Sequence, residues 1–286
     1  MTRARTEIRT HLVFCAILAT LLWPTNLLAQ EQRVVRVAAA ADLRFALDEL
    51  VKAFESKTGT KVDVTTGSSG NFFAQIQSGA PFDLFFSADM DYPKKLEASG
   101  LAEPGTLYEY ARGGIVIWTP ADSPIDVAKG QWNALLDAHI QKIAIANPAL
   151  APYGRAAVSA LRKSGFYDQV KAKLVYGENI SQAAQFVQSG NAQAGIIAHS
   201  LALSPGMKNG KVWEIPVDMH APIEQGAVVL KGAKNKTAAL DFLDFVKSAA
   251  GQVILEKAGF AIPVSQEQSN SPQASPVTRR EVAKQQ

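Results

Sequence analysis

The stretch T-T-G-S-S-G-N-F-F-A-Q-I-Q-S-G-A-P-F-D-L-F-F-S-A-D, Thr65 to Asp89, decides the fold. Its Gly67-Ser68-Ser69-Gly70, taken alone, reads as a flexible linker. The neighbouring residues argue otherwise. Phe72 and Ile76 recur at helical spacing, and Phe82 to Phe86 is a short apolar strand led by Pro81. The glycines and hydroxyls therefore stand at a corner, between a strand at Lys61 to Thr65 and a helix.

Outward from this corner, strand and helix alternate from about Arg33 to Val264. Val34 to Ala40 predicts an apolar strand. Leu43, Leu47, Leu50 and Phe54 then mark one helix face, which Lys57-Thr58-Gly59 stops. Tyr92 to Ser99 predicts a helix ending at Gly100. A second series places strands at Gly114–Trp118, Ile143–Ala146, Lys173–Tyr176 and Ala194–Ala198, with helices at Trp132–Leu136, Arg155–Lys163 and Ile180–Gln188. Ala227 to Leu230 predicts a last strand, and Lys236 to Lys257 one long helix. Such alternation predicts an α/β fold of mostly parallel sheets flanked by helices. A chain of 286 residues has room for two such units. Helix N-termini then gather at the carboxyl ends of the strands, where open α/β sheets bind ligands.

The two ends differ in composition. Arg3, Arg5 and Arg9 precede an uncharged apolar run, Leu12 to Leu22, and Leu27-Leu28-Ala29 offers a cleavage site. Residues 1–29 read as a secretory signal peptide, since the run is too short for a membrane anchor and Pro24 breaks it. Ser265 to Gln286 is rich in Gln, Ser, Asn and Pro and reads as a disordered tail. The one cysteine, Cys15, lies in the signal, so the exported chain has no disulfide or thiol nucleophile. The signal holds three of the 29 basic residues and one of the 26 acidic ones, which leaves the remainder near neutral. That balance argues against nucleic acid as a partner and suits the bacterial periplasm.

Enzyme constellations are missing from the sequence. His139, His199 and His220 have no partners at metal-ligand spacing, and there is no G-x-S-x-G, P-loop or G-x-G-x-x-G. Four strand-to-helix corners share another character: Ala39-Ala40-Ala41-Asp42, Gly67 to Gly70, Asn147 to Gly154, and Tyr176-Gly177-Glu178-Asn179. Each is built from small or capping residues. A helix N-terminus presents free N–H groups and partial positive charge, so it binds anions. One such corner is an ordinary cap. Several on one cleft can hold a dianion with no charged side chain. Each hydrogen bond to a charged acceptor contributes roughly 1.5–3 kcal/mol, and about five to seven support sub-micromolar affinity.

The chain resembles the periplasmic molybdate-binding proteins of ABC importers, which have the two-lobed type II periplasmic-binding-protein fold. The resemblance covers about Arg33 to Val264. It is carried by A-A-A-x-x-L at Ala38 to Leu43, by S-S-x-x-x-x-x-Q-I-x-x-G-A-P-x-D-L-F-x-S-A-D from Ser68 to Asp89, by N-P…Y-G at Asn147 to Gly154, and by A-G-I-I at Ala194 to Ile197. It implies a discontinuous first lobe, residues 30–110 and 222–264, and a second lobe, 111–221. Crossovers fall near Tyr108–Gly113 and His220–Gly226. It further implies a monomer that needs no cofactor, encloses molybdate or tungstate as an oxyanion and delivers it to a membrane permease. Carried over position by position, the ligand groups are Asp42, Ser69, Tyr153 and Ile180, with Ser68 and Ala198 as adjacent helpers.

Two positions depart from the family's commonest pattern. Ala198 stands where many relatives have Tyr, and the Tyr153 phenol offers a remedy. Asp42 stands where many have Ser. A carboxylate about 4 Å from a dianion costs roughly 8 kcal/mol at an effective dielectric near 20. The expectation is that Asp42 gives only its backbone N–H, while its side chain caps the helix from Leu43 or pairs with Arg44. A plain cap without a ligand role is the alternative. Arg44 and Arg155, in first turns of pocket helices, either clamp an anion such as phosphate, balance Asp42 or face water. Sulfate, phosphate or another small oxyanion remains the alternative ligand.

Overall fold

A computed structural model describes residues 34–263; the expected signal peptide and C-terminal tail lie outside the described residues. Ten strands follow in chain order: β1 (Val34–Ala40), β2 (Lys61–Gly67), β3 (Leu84–Ser87), β4 (Tyr108–Gly113), β5 (Ile115–Thr119), β6 (Ile143–Ala146), β7 (Leu174–Gly177), β8 (Ala194–Ala198), β9 (Lys211–Glu214) and β10 (Ile223–Val229). They form two five-stranded sheets, ordered β2-β1-β3-β10-β4 and β7-β6-β8-β5-β9. The chain leaves the first sheet between Gly113 and Ile115 and returns to it between Glu214 and Ile223.

Each sheet is mixed. β1 runs parallel to β2 and β3, and β6 runs parallel to β7 and β8, as helical crossovers demand. β10 pairs antiparallel with β3 and β4, and β5 with β8 and β9. The parallel character expected from βα alternation thus stops at the strands beside the two crossings. β5 enters its sheet directly from β4, and β10 enters from β9 with only the 3-10 turn Val217–Met219 between them.

The first sheet is covered on both faces, and its central strands are accordingly near-continuous apolar runs whose successive residues point to opposite faces. Val35, Val37 and Ala39 of β1, Leu84 and Phe86 of β3, and Ala227 and Val229 of β10 join one cluster with Leu43, Leu47, Leu50, Phe54 and Phe242. Ala38, Phe85 and Val228, the intervening residues, turn to the other face against Phe72, Ile76 and Leu96. The helix Arg44–Thr58 ends where Gly59 takes φ 72°, a left-handed C-cap that favours glycine. Among the described residues no helix is long and apolar enough to cross a membrane.

Several local expectations change: Tyr108–Gly113, expected as a crossover, is itself strand β4, and the helix expected at Trp132–Leu136 is a 3-10 helix, Gln131–Leu136. The long helix predicted from Lys236 is two helices, Lys236–Lys247 and Ala249–Lys257. Ser248 separates them in an extended conformation, and its Oγ accepts from Gly251 N at 3.3 Å. A serine hydroxyl competing for first-turn amides can restart a helix without Gly or Pro to mark the break. β9 was not expected. It is a four-residue edge strand with charged ends, too short for a periodic signal.

The corner after β7 is tightly built. A Cβ on Gly177 would lie 2.6 Å from Ala183 N and 3.0 Å from Asn179 O, both backbone atoms of the following turn. Gly177→Ala is expected to lower unfolding free energy by about 1–3 kcal/mol in urea titrations. Gly232→Ala, where a Cβ meets nothing within 4 Å, should stay near wild type. Equal midpoints for the two variants would show that the corner has slack.

Candidate functional site

The four corners singled out in the sequence meet in the folded chain. The helix Ser69–Gln77 starts at Ser68, whose Oγ accepts from Asn71 N at 3.3 Å. The helix Pro152–Lys163 starts with proline, whose missing N–H costs nothing in a first turn. The helix Ile180–Gln188 is capped by Asn179 Oδ1, accepting from Gln182 N at 3.0 Å. Asp42 sits in a single 3-10 turn, Ala41–Leu43, directly after β1.

Hydrogen bonds tie these corners to one another. Gly70 N donates to Leu150 O at 3.0 Å, joining the Ser69 helix to the loop before Tyr153. Asn71 Nδ2 donates to Glu178 Oε1 at 2.7 Å, joining it to the Ile180 corner. Ser181 Oγ donates to Ala41 O and Ser200 Oγ to Asp42 O, both at 2.9 Å. Ala40, Ala41 and Ala88, from the ends of β1 and β3, pack in one buried cluster with Tyr153, Ile180 and Ala198. All six predicted site residues are buried: Asp42, Ser68, Ser69, Tyr153, Ile180 and Ala198.

The N–H groups at this meeting point are uncommitted. Ser69 and Ile180 are first residues of their helices and Tyr153 is a second residue, so none has an intrahelical acceptor. None of these three N–H groups has another acceptor among the described residues. Ser69 Oγ accepts from Ala88 N at 2.9 Å, which leaves its hydroxyl hydrogen free to donate outward. Ser68, by contrast, is used as a cap. Ala198, at the end of β8, packs in the same buried cluster as Tyr153 and Ile180. No Lys or Arg is among the buried residues described. Nor does any group of three or more His, Cys, Asp or Glu gather there as a metal site. The chemistry on offer is neutral donors aimed at an acceptor.

Asp42 departs from the expected arrangement. Its side chain neither caps a helix nor pairs with Arg44. Gln225 Nε2, on β10, donates to Asp42 Oδ2 at 2.7 Å and lies 2.8 Å from the Tyr153 hydroxyl. Tyr110, on β4, donates its hydroxyl to Gln225 Oε1 at 2.5 Å. A buried amide within reach outcompetes an exposed guanidinium, because the carboxylate is only 1 % exposed while Arg44 faces solvent beside the Phe45 ring. Asp42 Oδ1 has no partner; the nearby Tyr153 hydroxyl favours the charged carboxylate without bonding to that oxygen. Burial pushes the Asp42 carboxyl up to about 6, against the opposing pull of Gln225, Tyr153 and the N–H groups of Asp42 and Leu43. Burial, and then the charge of Asp42, hold the Tyr153 and Tyr110 phenols well above their ordinary range.

Arg155 does not balance Asp42 either. It pairs with Asp89, after β3, and lies over the Tyr92 ring at 5.7 Å. Sequence reasoning missed Gln225 and Tyr110, the polar pair linking the two crossing strands to Asp42 and Tyr153. The available signal was Gln225 itself, an amide at a fully buried position of the otherwise apolar Q-G-A-V-V run.

A raised carboxyl pKa means that folding takes up a proton between about pH 4 and 6. The stability this carries is present below the ordinary 3.8 and lost as pH rises through about 6. The shift corresponds to about 3 kcal/mol. Asp42→Asn should therefore gain stability over wild type at pH 8, with the gap closing towards pH 4, in paired thermal melts. A gap independent of pH would contradict a buried, under-bonded carboxylate.

A model of the bacterial extracellular solute-binding protein family matches residues 35–261. The molybdate-binding protein ModA of Rhodobacter capsulatus is 40% identical over 226 residues, covering 79% of this chain and 87% of that protein. ModA of Azotobacter vinelandii is 37% identical over 235 residues, covering 82% and 92%. The solved Azotobacter vinelandii periplasmic molybdate-binding protein superposes with a TM-score of 0.76 at 33% identity, covering 80% of this chain and all of that one. The sulfate-binding protein SubI of Mycobacterium tuberculosis shares the fold alone, with a TM-score of 0.68 at 17% identity. Two mixed sheets joined by crossing strands, four convergent corners and these matches lead to one statement: the chain belongs to the bacterial extracellular solute-binding protein family, whose role is binding and not catalysis.

Proposed function

We propose that this protein captures molybdate or tungstate at the meeting point of the four corners and delivers it to the membrane permease of an ABC importer. The carrying observation is the set of uncommitted N–H groups on Ser69, Tyr153 and Ile180, buried where no cation competes. A tetrahedral dianion offers several acceptors to such donors at once. The relatives named as molybdate-binding, at 37–40% identity, support the same ligand. Ser69 gives its N–H and hydroxyl; Tyr153, Ile180 and the Asp42 turn give N–H groups. The two sheets move as halves and close on the ion, with the boundary expected at 110–111 shifted to Gly113, where β4 of the first sheet ends. Export through a signal peptide cut near residue 29, and action as a monomer, complete the reading. Asp42 favours a second reading, phosphate, because an acceptor without a partner suits an anion that brings its own proton.

Gly70 decides how closely the halves approach. A Cβ there would lie 2.7 Å from Leu150 O and 2.8 Å from the Tyr92 hydroxyl. Gly70→Ala should weaken anion binding at least tenfold by calorimetry while far-UV circular dichroism stays native. Unchanged affinity would remove the Gly70–Leu150 contact from the closure account. For the ligand itself, thermal melts with molybdate, tungstate, sulfate and phosphate discriminate. An ion present at 100 times its Kd adds about 2.7 kcal/mol, or roughly 5–10 °C for a domain of this size. Molybdate and tungstate should give that shift. A shift with phosphate alone selects the second reading, and no shift with any of the four overturns the oxyanion reading.

A further inference from the structure

The two buried carboxylates among the described residues are built differently. Asp83, 2 % exposed, accepts from Arg36 N at 2.8 Å through Oδ2 and from Lys234 N and Asn235 N at 2.7 and 3.2 Å through Oδ1. Both of its oxygens are satisfied, and it pins β1 to the start of the Lys236 helix. Asp42, 1 % exposed, has Gln225 on Oδ2 and nothing on Oδ1. A structural carboxylate of the Asp83 kind leaves no oxygen over; Asp42 does.

The position of that oxygen matters. Asp42 sits in the 3-10 turn assigned above to the oxyanion, and the N–H groups of Asp42 and Leu43 favour its charged form. A dianion on those N–H groups meets a carboxylate oxygen, Oδ1, that accepts no hydrogen bond and has no buried cation among the described residues to balance it. Two acceptors facing each other with no hydrogen between them repel. A neutral carboxyl reverses the sign of the contact, since its O–H donates to an anion oxygen while Oδ2 keeps its bond to Gln225.

We propose that the pocket captures one proton with each oxyanion, held on Asp42 Oδ1 and donated to an oxygen of the anion. This rests on the oxyanion reading above. The proton comes from solvent, because free molybdate carries none at neutral pH. The other ionisable groups on the surrounding elements are engaged elsewhere, stay neutral or face solvent; on β4 and β10, Arg112 pairs with Glu109 and Glu224. Tyr110 and Tyr153 are held protonated by burial. Asp89 pairs with Arg155, Lys61 of β2 with Glu55, and His199 faces Glu214 at 3.7 Å. Arg44, Asp48 and Asp63 are exposed. Burial already raises the Asp42 carboxyl, and the charge of an adjacent anion raises it further, so capture tightens as the solution becomes more acidic.

Isothermal titration of the purified protein with sodium molybdate at pH 7.5, in Pipes and in Tris, counts the protons through the two buffers' ionisation heats. Uptake close to one proton per anion is expected, with Kd rising about tenfold per pH unit from pH 7 to 9. Asp42→Asn and Asp42→Ser, which place a neutral donor at that position, should bind with no proton exchange and a flat pH profile. Tight wild-type binding with no proton uptake overturns the proposal and leaves the oxyanion reading intact. Proton uptake that persists in both variants overturns the assignment to Asp42. Absence of molybdate and tungstate binding by the wild type at every pH overturns both readings together. Should the Asn variant fail to fold, the wild-type count and the Ser variant still decide.

Discussion

The N–H groups of a helix's first turn cannot be satisfied within that helix. Most proteins spend them on water or on caps. Here three helix starts and one 3-10 turn are brought together from two different sheets, and the N–H groups of the buried residues Ser69, Tyr153 and Ile180 have no acceptor among the described residues. The rest of the architecture follows from that requirement. Parallel βα units put helix starts at one end of each sheet, and the two crossings set the sheets so that those ends oppose. Small residues at the corners, such as Gly70 and Gly177, let backbone approach backbone where a side chain would not fit.

The proposed capture of a dianion by neutral donors carries a constraint: no unbalanced charge nearby can be tolerated cheaply. The buried set is consistent with this, since it contains no Lys or Arg. Asp42 is the exception, and the structure surrounds it with amide and phenol groups instead of cations. Gln225 is central because one amide spans three elements: its nitrogen reaches Asp42 and Tyr153, and its oxygen accepts from Tyr110. Tyr110 and Gln225 lie on the strands beside the crossings. Asp42 is thus wired, through Gln225, to the strands beside the two crossings between sheets.

Much of the fold was legible from periodicity. The apolar runs at Val34–Ala40 and Phe82–Phe86 matched strands of a sheet covered on both faces, and i, i+3, i+4 spacing at Leu43, Leu47, Leu50 and Phe54 matched a helix laid on it. What escaped had weak local signals. β9 is too short to show a period, and Ser248 divides a helix through a hydrogen bond that competes with helical ones. The antiparallel pairing of β5 and β10 depends on where the chain crosses between sheets, a relation between distant segments that no local window contains.

For the site, sequence alone supplied the corners. Gly-Ser-Ser-Gly before a helix, Asn-Pro before Tyr153 and Asn179 before Ile180 are local backbone chemistry, and local chemistry is written in consecutive residues. It also supplied the warning at Asp42, since a carboxylate near a dianion conflicts with Coulomb's law in any fold. Only the tertiary structure decided how that conflict is met. The sequence neighbours of Asp42 offered a helix cap and Arg44; the folded chain offered Gln225, 183 residues away, with Tyr153 beside it. A buried carboxylate takes the donors that share its dry environment, and those are chosen by packing between segments far apart in the chain.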